Sequence, residues 1–116
     1  MIYIGLNPNE ITDYDTAKEL GSWPRREISA NEVQRLLARE HISCCHTEHK
    51  FILDLVKRRL GIEIKIPTPP LKHRLRKSDK VIIIFVCNIV HPPPAEGYSL
   101  EDMRKARIKF LLYTIS

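Results

Sequence analysis

Hydrophobic positions along the chain change period several times, and each change marks an element. Ile2 to Leu6 is a short β-branched and aromatic run closed by Asn7-Pro8-Asn9, which predicts a first strand feeding a turn. Residues 9 to 23 are mixed and polar, with Gly21 and Pro24 as breakers, and predict a long loop of the kind that often carries function. Ser29-Ala30-Asn31-Glu32 has the spacing of a capping box, and Val33, Leu36 and Leu37 continue as an apolar stripe, so a helix is expected over residues 30–40. Ile42 to Cys45 predicts a short strand. Thr47 is placed to cap a second helix, in which Phe51, Ile52, Leu55, Val56 and Leu60 recur at helical spacing before Gly61 ends it.

Beyond Gly61 the pattern turns to strands. Ile62 to Ile66 alternates apolar and charged residues until Pro67, Pro69 and Pro70 break it. Leu71 to Arg76 is expected as an edge strand, joined through a Ser78-Asp79 turn to Val81–Val90. The Val81 run is apolar on both faces, which places it centrally in a sheet. His91 to Gly97 reads as a stiff, proline-rich loop, Ser99-Leu100-Glu101-Asp102 opens a third short helix, and Ile108 to Ile115 is a last strand. The order β-α-β-α-β-β-α-β predicts an α/β fold in one domain over residues 1–116, with a central mixed sheet of about five strands flanked by helices. The last strand, or another exposed edge, would pair across a two-fold axis in a homodimer.

Charge narrows the partners. The chain has 116 residues and a formal charge of +5, an excess that favours an anionic ligand. Lys65, Lys72, Arg74, Arg76, Lys77 and Lys80 gather around a single acid, Asp79, with His73 among them. Two readings are equally open: a footprint for a phosphate backbone, or charges that protect an edge strand from aggregation. Arg104, Lys105, Arg107 and Lys109 form a smaller basic group. No apolar run approaches the about 18 residues of a membrane span. The N-terminal residues lack the pattern of a signal peptide, so an intracellular protein without membrane contact is expected. Cys44, Cys45 and Cys87 are odd in number and lack metal-type spacing, which argues against a disulfide framework and a zinc site. Cys44 and Cys45, being adjacent, should point to opposite faces of a strand.

Few residues offer chemistry. His46 falls where a short strand gives way to the second helix, whose N-terminal N–H groups would attract phosphate, so this histidine and the neighbouring Thr47 would lie beside a bound anion. Glu96, behind Pro92-Pro93-Pro94, is a candidate base or orienting group. Asn7, at the end of the first strand, stands where sheets of this kind contact ligands. No glycine loop, metal cluster or serine or cysteine nucleophile arrangement is present, and no cofactor is expected.

The order of these features resembles the viral ring nucleases, the type III anti-CRISPR proteins of archaeal viruses, and the likeness points towards turreted icosahedral viruses of Sulfolobus. It spans almost the whole chain: a Tyr3-Ile4 strand ending in Asn7, an apolar-striped helix, a histidine opening the next helix, Leu60-Gly61-Ile62 closing it, and Glu96-Gly97 before Ser99-Leu100-Glu101-Asp102 and a last strand. The resemblance implies a homodimer that cleaves cyclic tetra-adenylate without metal in the cytoplasm of an infected host cell. It implies His46 as the acid that protonates the leaving 5′-oxygen, Glu96 as an assisting carboxylate and Asn7 as a ligand contact. Two departures stand out. Cys45-His46-Thr47-Glu48 replaces the family's Gly-His-Asp/Glu-Ser/Thr, and the family's arginine before the Glu-Gly turn is missing, leaving Lys72, Arg74 or His91 as substitutes. The competing functions are a non-catalytic dimer that binds double-stranded DNA, and a structural protein that uses a sheet edge.

Overall fold

The computed structural model describes residues 1–46, 49–67, 72–90 and 94–115. The chain opens with β1 (Ile2–Gly5) and turns at once into α1 (Pro8–Ile11). Asn7 caps that turn, its Oδ1 accepting the Asn9 N–H at 3.0 Å, and Pro8 takes the first helical position, where no amide proton is needed. Asp13 caps α2 (Tyr14–Glu19) in the same way, accepting the Thr16 N–H at 2.9 Å, and a 3₁₀ turn over residues 20–22 follows. The loop expected over residues 9 to 23 is therefore largely helical. Two cap signatures start it, and the buried side chains of Ile11 and Leu20 tie it to the sheet.

The remaining elements are β2 (Arg25–Ile28), α3 (Ala30–Leu37), β3 (His41–Ser43), α4 (Lys50–Leu60), β4 (Lys80–Cys87), α5 (Leu100–Lys105) and β5 (Arg107–Thr114). The strands form one mixed sheet in the order β2-β5-β4-β1-β3. β5 is antiparallel to both of its neighbours, β2 and β4, and β4, β1 and β3 are parallel. As the sequence predicts, the sheet has five strands, helices flank it and the Val81 run lies at its centre.

Its membership differs in one strand. Arg25, Arg26 and Glu27 of β2 are exposed and only Ile28 is buried, a charged edge with no apolar alternation to reveal it. The segment at residues 72–76, expected as an edge strand, is not one. The His73 N–H donates to the Ile11 carbonyl at 2.7 Å and the His73 ring lies 5.2 Å from that of Tyr3, so the segment rests against α1 and its face of the sheet. The last strand is no edge either. β5 pairs along all eight residues with β4 and also with β2, so two-fold pairing through it is ruled out and the sheet edges are β2 and β3.

Strand alternation divides the core in two. Ile2, Ile4, Ile82, Ile84, Phe110 and Leu112 face α3 and α4, meeting Val33, Leu53 and Val56. Tyr3, Val81, Ile83, Tyr113 and Ile115 face the other way, onto Ile11 and Leu20. Cys45 joins the first cluster and Cys44 the second, so the adjacent cysteines do point to opposite faces. Truncating a fully buried residue such as Ile82 to alanine would cost about 2–5 kcal/mol.

The helix ends follow their sequence signals. Ser29 Oγ accepts the Glu32 N–H at 3.2 Å, but the Glu32 carboxylate takes Arg26 in a two-pronged pair at 2.7 and 3.0 Å instead of reaching back, so that capping box is half formed. The Ser99–Asp102 box at α5 is complete. Gly61 ends α4 in the left-handed region at φ 71°, as predicted, with Lys57, Arg58 and Arg59 in the last turn complementing the helix dipole.

Candidate functional site

Because β4, β1 and β3 are parallel, their carboxyl ends open on one side of the sheet, where open α/β sheets hold ligands. β1 stops at Gly5, opposite Ile83, while β4 runs on to Cys87. The overhang leaves a cleft of about 340 Å³ lined by Leu6, Asn7, His49, Ile52, Phe85 and Val86. α1 folds tightly over the end of β1. A Cβ on Gly5 would lie 3.2 Å from Ile11, which accounts for glycine there and brings the next acid, Glu10, back over the strand end.

The loop from β3 to α4 supplies two histidines. The His46 carbonyl accepts the His49 N–H at 3.0 Å, which holds both at the helix start. His49 is the N-cap of α4, but its side chain does not cap the helix. Its Nε2 instead contacts Glu10 Oε1 across the corner between α4 and α1. The two side chains are 16% and 9% exposed, so this imidazole–carboxylate contact is largely shielded from water, where pairing matters most. The other Glu10 oxygen is buried with no hydrogen-bond partner among the described residues. Burial first, and the Glu10 charge second, push the Cys44 and Cys45 thiols up to about 12, which keeps both neutral beside the corner.

Of the residues named from sequence, Asn7 lines the cleft, with its amide oriented by the bond to Asn9, and His46 is half-buried ahead of α4 and does not line the cleft. Thr47 and His91 lie outside the described residues. Glu96 is exposed and lines a different hollow of about 120 Å³, with Asp54, Arg58 and Tyr98, on another flank of α4. Its turn is seated on Phe51 through Gly97, whose φ is 88°. Among the basic residues, Lys65, Lys72, Arg74, Arg76 and Lys77 are exposed and Lys80 is half-buried on β4. Lys72, Arg74 and Arg76 alternate with the half-buried His73 and Leu75, so the predicted charged face exists without a strand to carry it. A further open depression of about 490 Å³ is lined by Arg59, Arg104, Lys105 and Arg107 with Asn88.

Sequence reasoning missed the Glu10–His49 pair. The signals were present. His46 and His49 are one turn apart at a helix start, and Asn7-Pro8 is a cap-plus-proline signature that makes residues 8–11 a helical turn rather than a loop.

No protein-family model matches the chain, and no curated protein does. Among solved structures, the chain is similar to B116 of Sulfolobus turreted icosahedral virus, with a TM-score of 0.56 over 97% of each chain at 12% identity. The chain has the fold of a Sulfolobus virus protein. At that identity the likeness concerns the path of the backbone. No helix among the described residues is long and apolar enough to cross a membrane.

Proposed function

We propose that this protein is a metal-independent ring nuclease of an archaeal virus, which cleaves cyclic tetra-adenylate in the host cytoplasm to counter type III CRISPR immunity. The observation that carries the reading is the convergence of Asn7 and His49, whose N–H donates to the His46 carbonyl, in an open cleft at the carboxyl ends of the parallel strands. The resemblance in sequence order and the fold shared with an archaeal virus protein support it.

In this mechanism the ribose 2′-oxygen attacks the adjacent phosphorus. The O2′–P bond forms, the P–O5′ bond breaks, and a linear product with a 2′,3′-cyclic phosphate results. His46 protonates the departing 5′-oxygen, and Glu96 assists from its turn. Asn7, Thr47, Lys72, Arg74 and His91 are the ligand contacts, and a homodimer matches the two-fold symmetry of the ring. Positioned proton transfer of this kind contributes about 10²–10⁴ in rate. The test is incubation with cyclic tetra-adenylate in EDTA, with products resolved by chromatography. Linear cyclic-phosphate products that disappear with His46→Ala support the reading, and an intact ring refutes it.

A second reading, a non-catalytic DNA-binding dimer, is favoured by the outward row of Lys72, Arg74 and Arg76 and by the basic depression at Arg59, Arg104, Lys105 and Arg107. Here the salt dependence of binding decides. Contact with several duplex phosphates gives a slope of about −0.9 per phosphate, far steeper than a small ring in a shaped cleft would show.

A further inference from the structure

We infer that His49, held by Glu10, is the general base that takes the proton from the attacking 2′-hydroxyl, complementing His46 as the acid. The inference rests on the ring-nuclease reading and adds to it the group that reading leaves distant, because cleavage by an internal hydroxyl needs a base on one side of the phosphorus and an acid on the other. Glu96 is exposed and borders another hollow, whereas His49 lines the same cleft as Asn7.

Three observations support the assignment. The His46 carbonyl accepts the His49 N–H at 3.0 Å, which keeps the two residues together at the start of α4, and His49 lines the cleft. The His49 side chain is withheld from capping its own helix and committed to Glu10, a contact that crosses from α4 to α1. The Glu10 side chain is almost fully buried, so packing fixes its place beside His49. A carboxylate that accepts a ring N–H orients the imidazole and stabilises the imidazolium formed when the ring takes a proton. Glu10 is thus a positioning residue that acts through His49.

Proton balance follows directly. The 2′-hydroxyl proton moves to His49 as the O2′–P bond forms, and His46 gives its proton to O5′ as the P–O5′ bond breaks. Exchange with water then resets both rings. Besides these groups, the titratable side chains interacting with the corner, among the described residues, are Cys44 and Cys45, both kept neutral by burial.

The test is single-turnover cleavage of cyclic tetra-adenylate in EDTA by the full chain and its variants, with ring affinity measured in parallel. His49→Ala should slow cleavage about 10²–10⁴-fold while changing ring affinity less than about threefold. In the wild type, rate should rise with pH on the acid limb as the base loses its proton. That limb should vanish in His49→Ala. Glu10→Gln keeps the size and an acceptor but removes the charge. It should lower the rate and shift the acid limb, with Glu10→Asp recovering part of the loss. Melting temperature screens all variants, and Glu10→Gln serves should His49→Ala fail to fold. If His49→Ala, or Glu10→Gln in its place, cleaves within about threefold of wild type with the acid limb intact, the inference is overturned while the ring-nuclease reading stands. A wild-type protein that leaves the ring whole overturns both.

Discussion

Replacing Gly97 by alanine measures how firmly the Glu96 turn is seated on α4. Gly97 has φ 88°, and a Cβ built there would lie 2.9 Å from Cε1 and 3.1 Å from Cδ1 of Phe51. Two costs add. A side chain in the left-handed region costs about 1–2 kcal/mol. Forcing a methyl into a packed ring costs about 1–3 kcal/mol. Moving the ring would also disturb its edge-on contact with Tyr98, at 6.4 Å between centroids. Gly97→Ala should therefore destabilise by about 2–5 kcal/mol. Gly61→Ala is the internal control. Its φ is 71°, but the nearest atom to the new Cβ is Gln34 Nε2 at 4.0 Å, so the backbone cost remains without the clash, about 1–2 kcal/mol. Gly21→Ala meets nothing within 4 Å and should stay within about 0.5 kcal/mol of wild type. Urea denaturation of all three gives the differences. Adding Phe51→Leu to Gly97→Ala should recover part of the loss, because the pair is in contact. If Gly97→Ala and Gly61→Ala agree within about 0.5 kcal/mol, the seating on Phe51 is wrong.

The buried thiols should be inert in the native state. With a thiol reagent at about pH 8, Cys87, half-buried, should be alkylated first, and Cys44 and Cys45 only on unfolding. The same thiols imply an alkaline loss of stability. Both are raised to about 12 in the fold against about 8.5 in an unfolded chain, so their contribution is complete below the lower value and fades as pH climbs towards the higher. Urea midpoints across that window should fall less steeply for Cys45→Ala, and an unchanged slope would contradict the assignment. If the exposed row binds DNA, Lys72→Ala, Arg74→Ala and Arg76→Ala should each flatten the logarithmic salt dependence by about 0.9 in a filter-binding titration. Removing the α5 cap with Ser99→Ala should cost about 1 kcal/mol in the same urea assay.

Strong periodicity made much of the sheet legible. The Val81 run, the last strand and α4 with its Gly61 stop all lie close to where hydrophobic spacing puts them. β2 escaped because three of its four residues are charged and exposed, so nothing in the pattern separates it from a loop. The segment at residues 72–76 misled for the opposite reason. It alternates like a strand, yet its backbone is taken up in part by α1, a partner that itself reads as loop. The candidate site followed suit. Asn7 and His46 were visible from their places at element ends, but Glu10 reaches His49 only because α1 folds back over β1, a tertiary closure that chain order does not encode.

β4 belongs to both halves of the sheet, and that has a consequence for how the molecule assembles and breathes. Its antiparallel pairing with β5 joins neighbours in sequence along eight positions. The parallel half instead requires Ile2 to find Lys80, closing a far longer loop before any contact rewards it. The antiparallel pair is therefore the early and durable part. β1, whose end borders the cleft, joins after that pair, and its amides should exchange with solvent ahead of those of β4 and β5. A ligand spanning Asn7 and His49 would bridge β1 to α4 and slow that opening, so hydrogen exchange at β1 would report occupancy of the cleft without any chemistry taking place.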